Sequence, residues 1–195
     1  MQIQEKRNDA MKIRNEMDLN IPLENAWNAL NDIPRVARCA PGAKLIESRP
    51  DDSHVGTVAV KLGPVALSFK GTVAFLERDA SQHRVVARAE GNEEKARGAA
   101  KADVVFTMSA SEKGTRLIVE SDITLVGPVA QYGRGAALVQ STAQVIMNQF
   151  ARNLEADLNS GGEAELQKDI SATKVLAKGL WDAGVGLIRK PGETK

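Results

Sequence analysis

Gly127-Pro128-Val129-Ala130-Gln131-Tyr132 is where the chain changes its period. Before it, apolar residues recur at every second position; after it, at every third or fourth. Val129, Tyr132, Ala136, Val139, Ala143, Ile146, Phe150, Leu154 and Leu158 fall on one helical stripe. Pro128 suits a first helical turn, where its missing N–H has no partner to lose. The spacing predicts one helix over 128–158, about 45 Å long at 1.5 Å per residue. Gly133 and Gly135 lie inside it, where each costs about 1 kcal/mol against Ala. They mark either a close approach by a backbone or ligand, or a kink.

Upstream the chain reads as sheet. Met11, Ile13, Met17, Leu19 and Ile21 alternate with Lys12, Arg14, Glu16, Asp18 and Asn20, a half-buried strand on which Asn15 is the polar exception. Pro22 starts a short helix carrying Leu23, Ala26, Trp27 and Leu30; Pro34 opens a second, which Pro41-Gly42 closes. Strands follow over 43–49, 54–62, 65–77, 82–91, 98–110 and 115–126, joined by short turns. Sequential strands with short turns imply an antiparallel meander. A long helix cannot bury its stripe alone, and a strongly bent sheet of about seven strands is its natural partner. The expectation is an α+β fold: a curved antiparallel sheet wrapped around a long C-terminal helix, with two short helices near the N-terminus.

Parity then assigns the inner face. It carries Leu67, Phe69, Gly71, Val73 and Phe75, then Val85, Ala87 and Ala89, then Ala100, Ala102, Val104, Phe106 and Met108, then Leu117, Val119, Ser121, Ile123 and Leu125. Gly71, Ala87, Ala89, Ala100, Ala102 and Ser121 are small. Two readings stand: a pocket for an apolar ligand, or a core filled by helix side chains. In the first, Asn15, Gln131, Tyr132, Val139 and Ile146 join the lining. Arg134 and Gln131 flank Tyr132, which is either a ligand contact or an ordinary core tyrosine.

The 195 residues allow one domain plus a tail. Lys and Arg number 26 against 25 Asp and Glu, which argues against nucleic-acid binding through bulk charge. Aromatics are few and alanines number 27. A single cysteine excludes an internal disulfide and a cysteine metal cluster. Cys39 is expected as a small buried residue, and His54 and His83 as solvated histidines. GxSxG, HExxH, P-loop and GxGxxG patterns are absent, and carboxylates such as Glu77, Glu90 and Glu120 are scattered over strands with no sequence pattern that pairs them for catalysis. No apolar run reaches about 18 residues, and the opening MQIQEKRNDA is too polar for a secretory signal, so a cytoplasmic protein is expected.

Residues 1–10 are expected as an extension, 11–158 as the domain, 159–162 as a linker and 163–195 as a tail. Leu166, Ile170, Leu176, Leu180, Trp181, Val185 and Ile188 form a broad apolar side of that tail. Residues 168–190 hold five basic and two acidic residues, net +3. Such a segment lies on a bilayer surface, through Leu176, Leu180, Trp181, Val185 and Ile188, or packs on the body or a partner.

Local motifs add a resemblance. Pro22-Leu23-Glu24-Asn25-Ala26-Trp27-Asn28-Ala29-Leu30-Asn31-Asp32 resembles the P-x-E-x-V/A-W-x-x-L-x-D first helix of the START and polyketide-cyclase superfamily, whose fold is the helix grip. Cys39-Ala40-Pro41-Gly42 resembles the C-x-P-G signature of the CoxG family, named for a subunit of carbon monoxide dehydrogenase. Val129-Ala130-Gln131-Tyr132-Gly133-Arg134 is similar to its A-Q-F/Y-G-R motif, and Phe150-Ala151-Arg152-Asn153-Leu154 to its F-A-x-N-L ending. Ala43 stands where many members carry a further Cys. The resemblance covers residues 11–158. It implies a non-enzymatic accessory of molybdenum-containing hydroxylases such as carbon monoxide dehydrogenase. It also implies recruitment to the inner face of the cytoplasmic membrane by the tail, and a respiratory quinone, menaquinone or ubiquinone, in the grip cavity. Alternatives are a cyclase or dehydratase, needing polar groups inside, and a ligand-free adaptor.

Overall fold

The alternation over residues 11–19 becomes strand β1 (Met11–Leu19) in the computed structural model, which describes residues 10–95, 97–162 and 166, without the side chains of 132–135. Met11, Ile13, Asn15, Met17 and Leu19 are buried on one face. Helix α1 (Leu23–Asn31) follows Pro22 and buries Ala26 and Ala29. Asp32 then caps α2 (Ile33–Cys39), its carboxylate accepting the Arg35 N–H at 3.1 Å, with Pro34 in the first turn.

Six strands follow: β2 (Ala43–Ser48), β3 (Ser53–Leu62), β4 (Val65–Asp79), β5 (Arg84–Glu93), β6 (Ala99–Ser111) and β7 (Gly114–Val126). All seven form one antiparallel sheet in the order β1-β7-β6-β5-β4-β3-β2. The predicted strands differ from these only at their ends. The register gives the inner face the predicted parity: Ala89 stands opposite Val73 and Ala102, and Ala102 opposite Ile123.

The predicted helix over 128–158 needs correction at its start. Gly127–Gly135 is a 3-10 segment, and the α-helix, α3, runs over Ala136–Asn159. Pro128 has no N–H, and Gly133 and Gly135 raise the cost of an α-helical ladder over one turn. At 24 residues α3 is about 36 Å long.

Helix α3 lies along β1, an edge strand, and its polar side chains seal that edge. Gln140 Nε2 donates to Arg14 O at 3.3 Å, and Gln144 Nε2 to Glu16 O at 2.9 Å. Glu155 Oε1 accepts the Asn20 N–H at 2.8 Å. These contacts occupy groups that an open sheet edge would offer to another chain. Beneath them, Met17, Leu19, Met108 and Leu117 pack against Phe150 and Leu154 as the main core. A smaller cluster of Leu62, Leu67 and Val129 sits under the 3-10 segment.

Leu166 packs against the main core. The rest of the expected tail, with Leu176, Leu180, Trp181, Val185 and Ile188, lies outside the described residues, as do residues 1–9 of the expected extension. Among the described residues no helix is long and apolar enough to cross a membrane.

Candidate functional site

Gly56 on β3, Gly71 on β4 and Gly91 on β5 stand opposite one another in register, with Ala100 on β6 beside them. All four share the inner-face parity, so four adjacent strands carry almost no side chain along one row. At Gly71 the backbones meet so closely that an added Cβ would sit 2.0 Å from Glu90 O. Only glycine permits that approach, as at tight bends of strongly curved sheets. The next row, His54, Val73, Ala89 and Ala102, is also mostly small.

Over this bare area lies a cavity of about 330 Å³, near the lower end of the usual range for small-molecule sites. Its floor is the glycine row. Leu45, Val58, Phe69, Val73 and Phe75 make the walls, and Ile33, Val36, Ala37 and Ala40 of α2 the roof. Val58 and Val73 are each 37% exposed, which marks the side open to water. Thr72, Glu90 and Lys101 also border it, but their parity is that of the outer face, where Lys101 Nζ pairs with Glu90 Oε1 at 3.0 Å.

Of the residues expected from the sequence, Phe69, Val73, Phe75 and Ala102 border this cavity. Leu67 is buried in the smaller cluster, with Val139 against it. Phe106, Met108 and Val119 belong to the main core. Ala87 is buried, and Ser121, Ile123 and Ile146 are half-buried, all away from the cavity lining. Asn15 is buried and already partnered: its Nδ2 donates to Gln144 Oε1 at 2.9 Å and to Gln140 O at 3.3 Å. Gln131 is exposed, and the Tyr132 side chain lies outside the described residues. Helix α3 contributes no lining residue; α2 takes the covering role expected of the long helix.

The roof is held by charge and hydrogen bonds. Asp157 of α3 is fully buried and accepts Arg35 Nε at 3.0 Å and Arg38 Nη2 at 2.6 Å. Asn153 Nδ2 donates to Cys39 O at 2.8 Å. The F-A-x-N-L and C-x-P-G signatures therefore touch through Asn153 and Cys39. Gly42 ends the second motif at φ +75°, where an added Cβ would lie 2.2 Å from Ala59 O. The Cys39 thiol is buried, and burial followed by the Asp157 charge pushes its pKa up to about 11. It is an inert core group at neutral pH.

The two histidines correct the expectation of solvated side chains. The His54 side chain is 11% exposed and borders the cavity. Its Nδ1 lies 3.0 Å from Ser48 Oγ; its Nε2 lies 3.5 Å from Asp52 Oδ1 and makes no hydrogen bond. Its ring meets Phe75 edge-on at 5.6 Å, while the Arg78 guanidinium sits 4.2 Å from the Phe75 ring centre. The signal was present: His54 shares parity with Gly56, Val58, Val60 and Leu62. His83, 18% exposed, packs edge-on to Trp27 at 5.4 Å with Nε2 3.2 Å from Glu24 Oε1. Among the described residues no three His, Cys, Asp or Glu side chains converge as metal ligands.

The family model for CoxG, a subunit of carbon monoxide dehydrogenase, matches residues 16–159. No curated protein matches the chain. Among solved structures, a conserved protein from Geobacillus kaustophilus aligns with TM-score 0.65 at 15% identity, over 77% of this chain and 96% of that one. A protein from Thermus thermophilus aligns at 0.56 and 15% identity, over 78% and 99%. The Zhui aromatase/cyclase of Streptomyces sp. R1128 aligns at 0.55 and 12% identity, over 78% and 98%. At these identities the likeness is one of fold, the helix grip.

Proposed function

Since this chain belongs to the CoxG family of carbon monoxide dehydrogenase subunits, we propose that it is a non-catalytic carrier of an apolar ligand, serving a molybdenum-containing hydroxylase of the carbon monoxide dehydrogenase kind. The observation that carries this reading is the apolar cavity between α2 and the glycine row. Burying a ligand there is favourable by roughly 25 cal/mol per Å² of apolar surface. A respiratory quinone, menaquinone or ubiquinone, suits the walls. A volume of 330 Å³ equals about 11 waters, room for a quinone head group and the first part of its chain. The remaining isoprenoid would leave past Val58 and Val73.

In this reading the protein works in the cytoplasm, at the inner face of the cytoplasmic membrane, where such ligands reside. Residues 163–195 make the contact: their basic residues meet anionic lipid at about 1 kcal/mol each, and Trp181 and its apolar neighbours enter the interface. Truncation after Gly162 is then expected to leave a folded domain that no longer sediments with anionic liposomes. Equal sedimentation of both forms would turn the tail into a protein-docking segment.

Native mass spectrometry of freshly purified protein, followed by organic extraction, tests the carrier reading. An isoprenoid quinone in the extract supports it, and an empty protein that takes up no quinone supports an adaptor. The Zhui aromatase/cyclase neighbour gives a second reading, a cyclase, its support being likeness of fold and the imidazole of His54 beside the cavity. An extracted polyketide in place of an isoprenoid would favour it.

A further inference from the structure

Helix α3 has two sides that differ in kind. Gln140, Gln144 and Glu155 face β1, while Asn153 and Asp157 face α2. At about 100° per residue, Leu138, Val139, Val145 and Ile146 lie within a quarter turn of Asn153. The side that meets α2 in the last turns of α3 is therefore mainly apolar in the first ones. It is also poorly covered: Leu138 and Val145 are 43% and 39% exposed.

The cavity mouth opens on the same side. Val58 stands on β3 between Gly56, under α2, and Val60, which shares the smaller cluster with Val139 of α3. The exposed Val58 thus lies between α2 and the start of α3. With Leu138 and Val145 it marks a single apolar groove, a patch of the kind that is covered by a partner or by another part of the chain.

The chain that follows α3 is led to this groove. Gly161 and Gly162 end the helix at φ +69° and +97°, with the Gly162 N–H donating to Asp157 O at 2.8 Å. A Cβ at Gly162 would lie 3.7 Å from Arg38 Nη2, so the turn sets the chain against α2. Leu166 then packs on the main core, in a cluster that includes Val36 and Ala40. Those two residues also roof the cavity. The chain therefore arrives at residue 166 on the wall that the core shares with the cavity. Beyond it, residues 167–190 carry Ile170, Leu176, Leu180, Trp181, Val185 and Ile188. Even at the helical rise of about 1.5 Å per residue, these 24 residues span about 36 Å, the length of α3. They are long enough to run back over the whole groove.

We propose that residues 167–190 dock in this groove, their apolar side chains covering Val58, Leu138 and Val145 and closing the cavity mouth. The same side chains enter a bilayer in the reading above, so the two positions exclude each other. An anionic membrane draws the basic tail off the groove, and the mouth opens where an apolar ligand can enter or leave. That use rests on the carrier reading; the docking itself does not.

Disulfide trapping in the full chain tests the proposal. Val58→Cys and, separately, Val145→Cys are each combined with Ile170→Cys, Leu176→Cys or Leu180→Cys. Cys39 is buried and does not compete. Under mild oxidation, at least one pair on each bank of the groove is expected to give a disulfide within one chain as the main product. Vesicles of phosphatidylglycerol and phosphatidylcholine are expected to cut its yield about fivefold or more, and phosphatidylcholine alone to change it less than about twofold. Melting curves verify each variant's fold; where Val58→Cys does not fold, the exposed Val145→Cys carries the test. A disulfide between two chains would make the occupant a second copy, and no crosslink on either bank would leave the groove free of the tail. Either result overturns the proposal and leaves the carrier reading standing. Crosslinking indifferent to anionic vesicles overturns the release by membrane. Crosslinking in a protein that takes up no quinone in the extraction test overturns the carrier reading and leaves the docking.

Discussion

The two halves of the inner face share one sheet and one parity, yet one is filled and the other hollow. Beneath α3, the inward positions of β1, β6 and β7 hold Met17, Leu19, Met108 and Leu117, which meet Phe150 and Leu154. Beneath α2, the inward positions of β3, β4, β5 and β6 hold Gly56, Gly71, Gly91 and Ala100, which face the short side chains of Val36, Ala37 and Ala40 across the cavity. Helix placement follows the same division. The glutamines of α3 fasten it to the β1 edge, at the far side of the sheet from β2. Stability therefore belongs to one half and the space for a ligand to the other.

The strongest way to break this comparison is to truncate a side chain in each half. Leu154→Ala removes a fully buried side chain from the filled half and is expected to cost about 2–5 kcal/mol. Val73→Ala, on the exposed wall of the cavity, is expected to cost under about 1 kcal/mol. Urea unfolding of the two variants reads both values, and similar costs would erase the distinction.

A smaller effect is expected where the halves are joined. Asp157→Asn takes the charge from a buried carboxylate that holds two arginines of α2. Breaking a buried ion pair commonly costs about 3–5 kcal/mol, but Arg35 and Arg38 are 29% and 42% exposed and regain water, so about 2–3 kcal/mol is expected. Because α2 is the roof, quinone affinity is expected to fall as well. A stability loss with unchanged affinity would show that the roof does not depend on this clamp.

The effect that appears only on acidification concerns the loop after β5. Glu93 is buried and accepts from the Arg97 guanidinium and from the N–H groups of Lys95 and Arg97. The Arg97 hydrogen bond leads, and against the opposing effect of burial its pKa falls from 4.5 to about 2. A carboxylate depressed in the folded state stabilises it above its unfolded value, and that contribution fades as pH falls from about 4.5 to about 2. Wild-type stability is thus expected to drop across that window, and Glu93→Gln to flatten the drop. Parallel profiles for the two proteins would remove Glu93 from the acid response.

How much of this was legible in the sequence depends on the kind of signal. Alternation over Met11–Leu19 and the turn residues between strands are local, and they gave the sheet and its inner face correctly. The start of α3 was misplaced because the apolar stripe runs on through Val129 and Tyr132 while Pro128, Gly133 and Gly135 deny the α ladder. The cavity's small residues were visible, but its place was not. That place depends on α3 lying along β1, a long-range arrangement that hydrophobic spacing along the chain does not encode. The glycine row was readable in part: Gly56 and Gly71 are equally far from the Gly63-Pro64 turn, so hairpin pairing alone puts them opposite one another. His54 shares the inward parity of Gly56, Val58, Val60 and Leu62, but a histidine at the start of a strand carries no apolar signal of its own.

The central claim is that the hollow half is a ligand site, and Ala102→Phe tests it most directly. Ala102 borders the cavity, so a phenyl ring there has space to enter and is expected to cost under about 1 kcal/mol, less than the roughly 1–3 kcal/mol of overpacking a filled core. Titration calorimetry with 2-methyl-1,4-naphthoquinone is expected to give saturable binding to the wild-type chain and none to Ala102→Phe at nearly equal melting temperature. Undiminished binding by a folded Ala102→Phe protein would contradict the account.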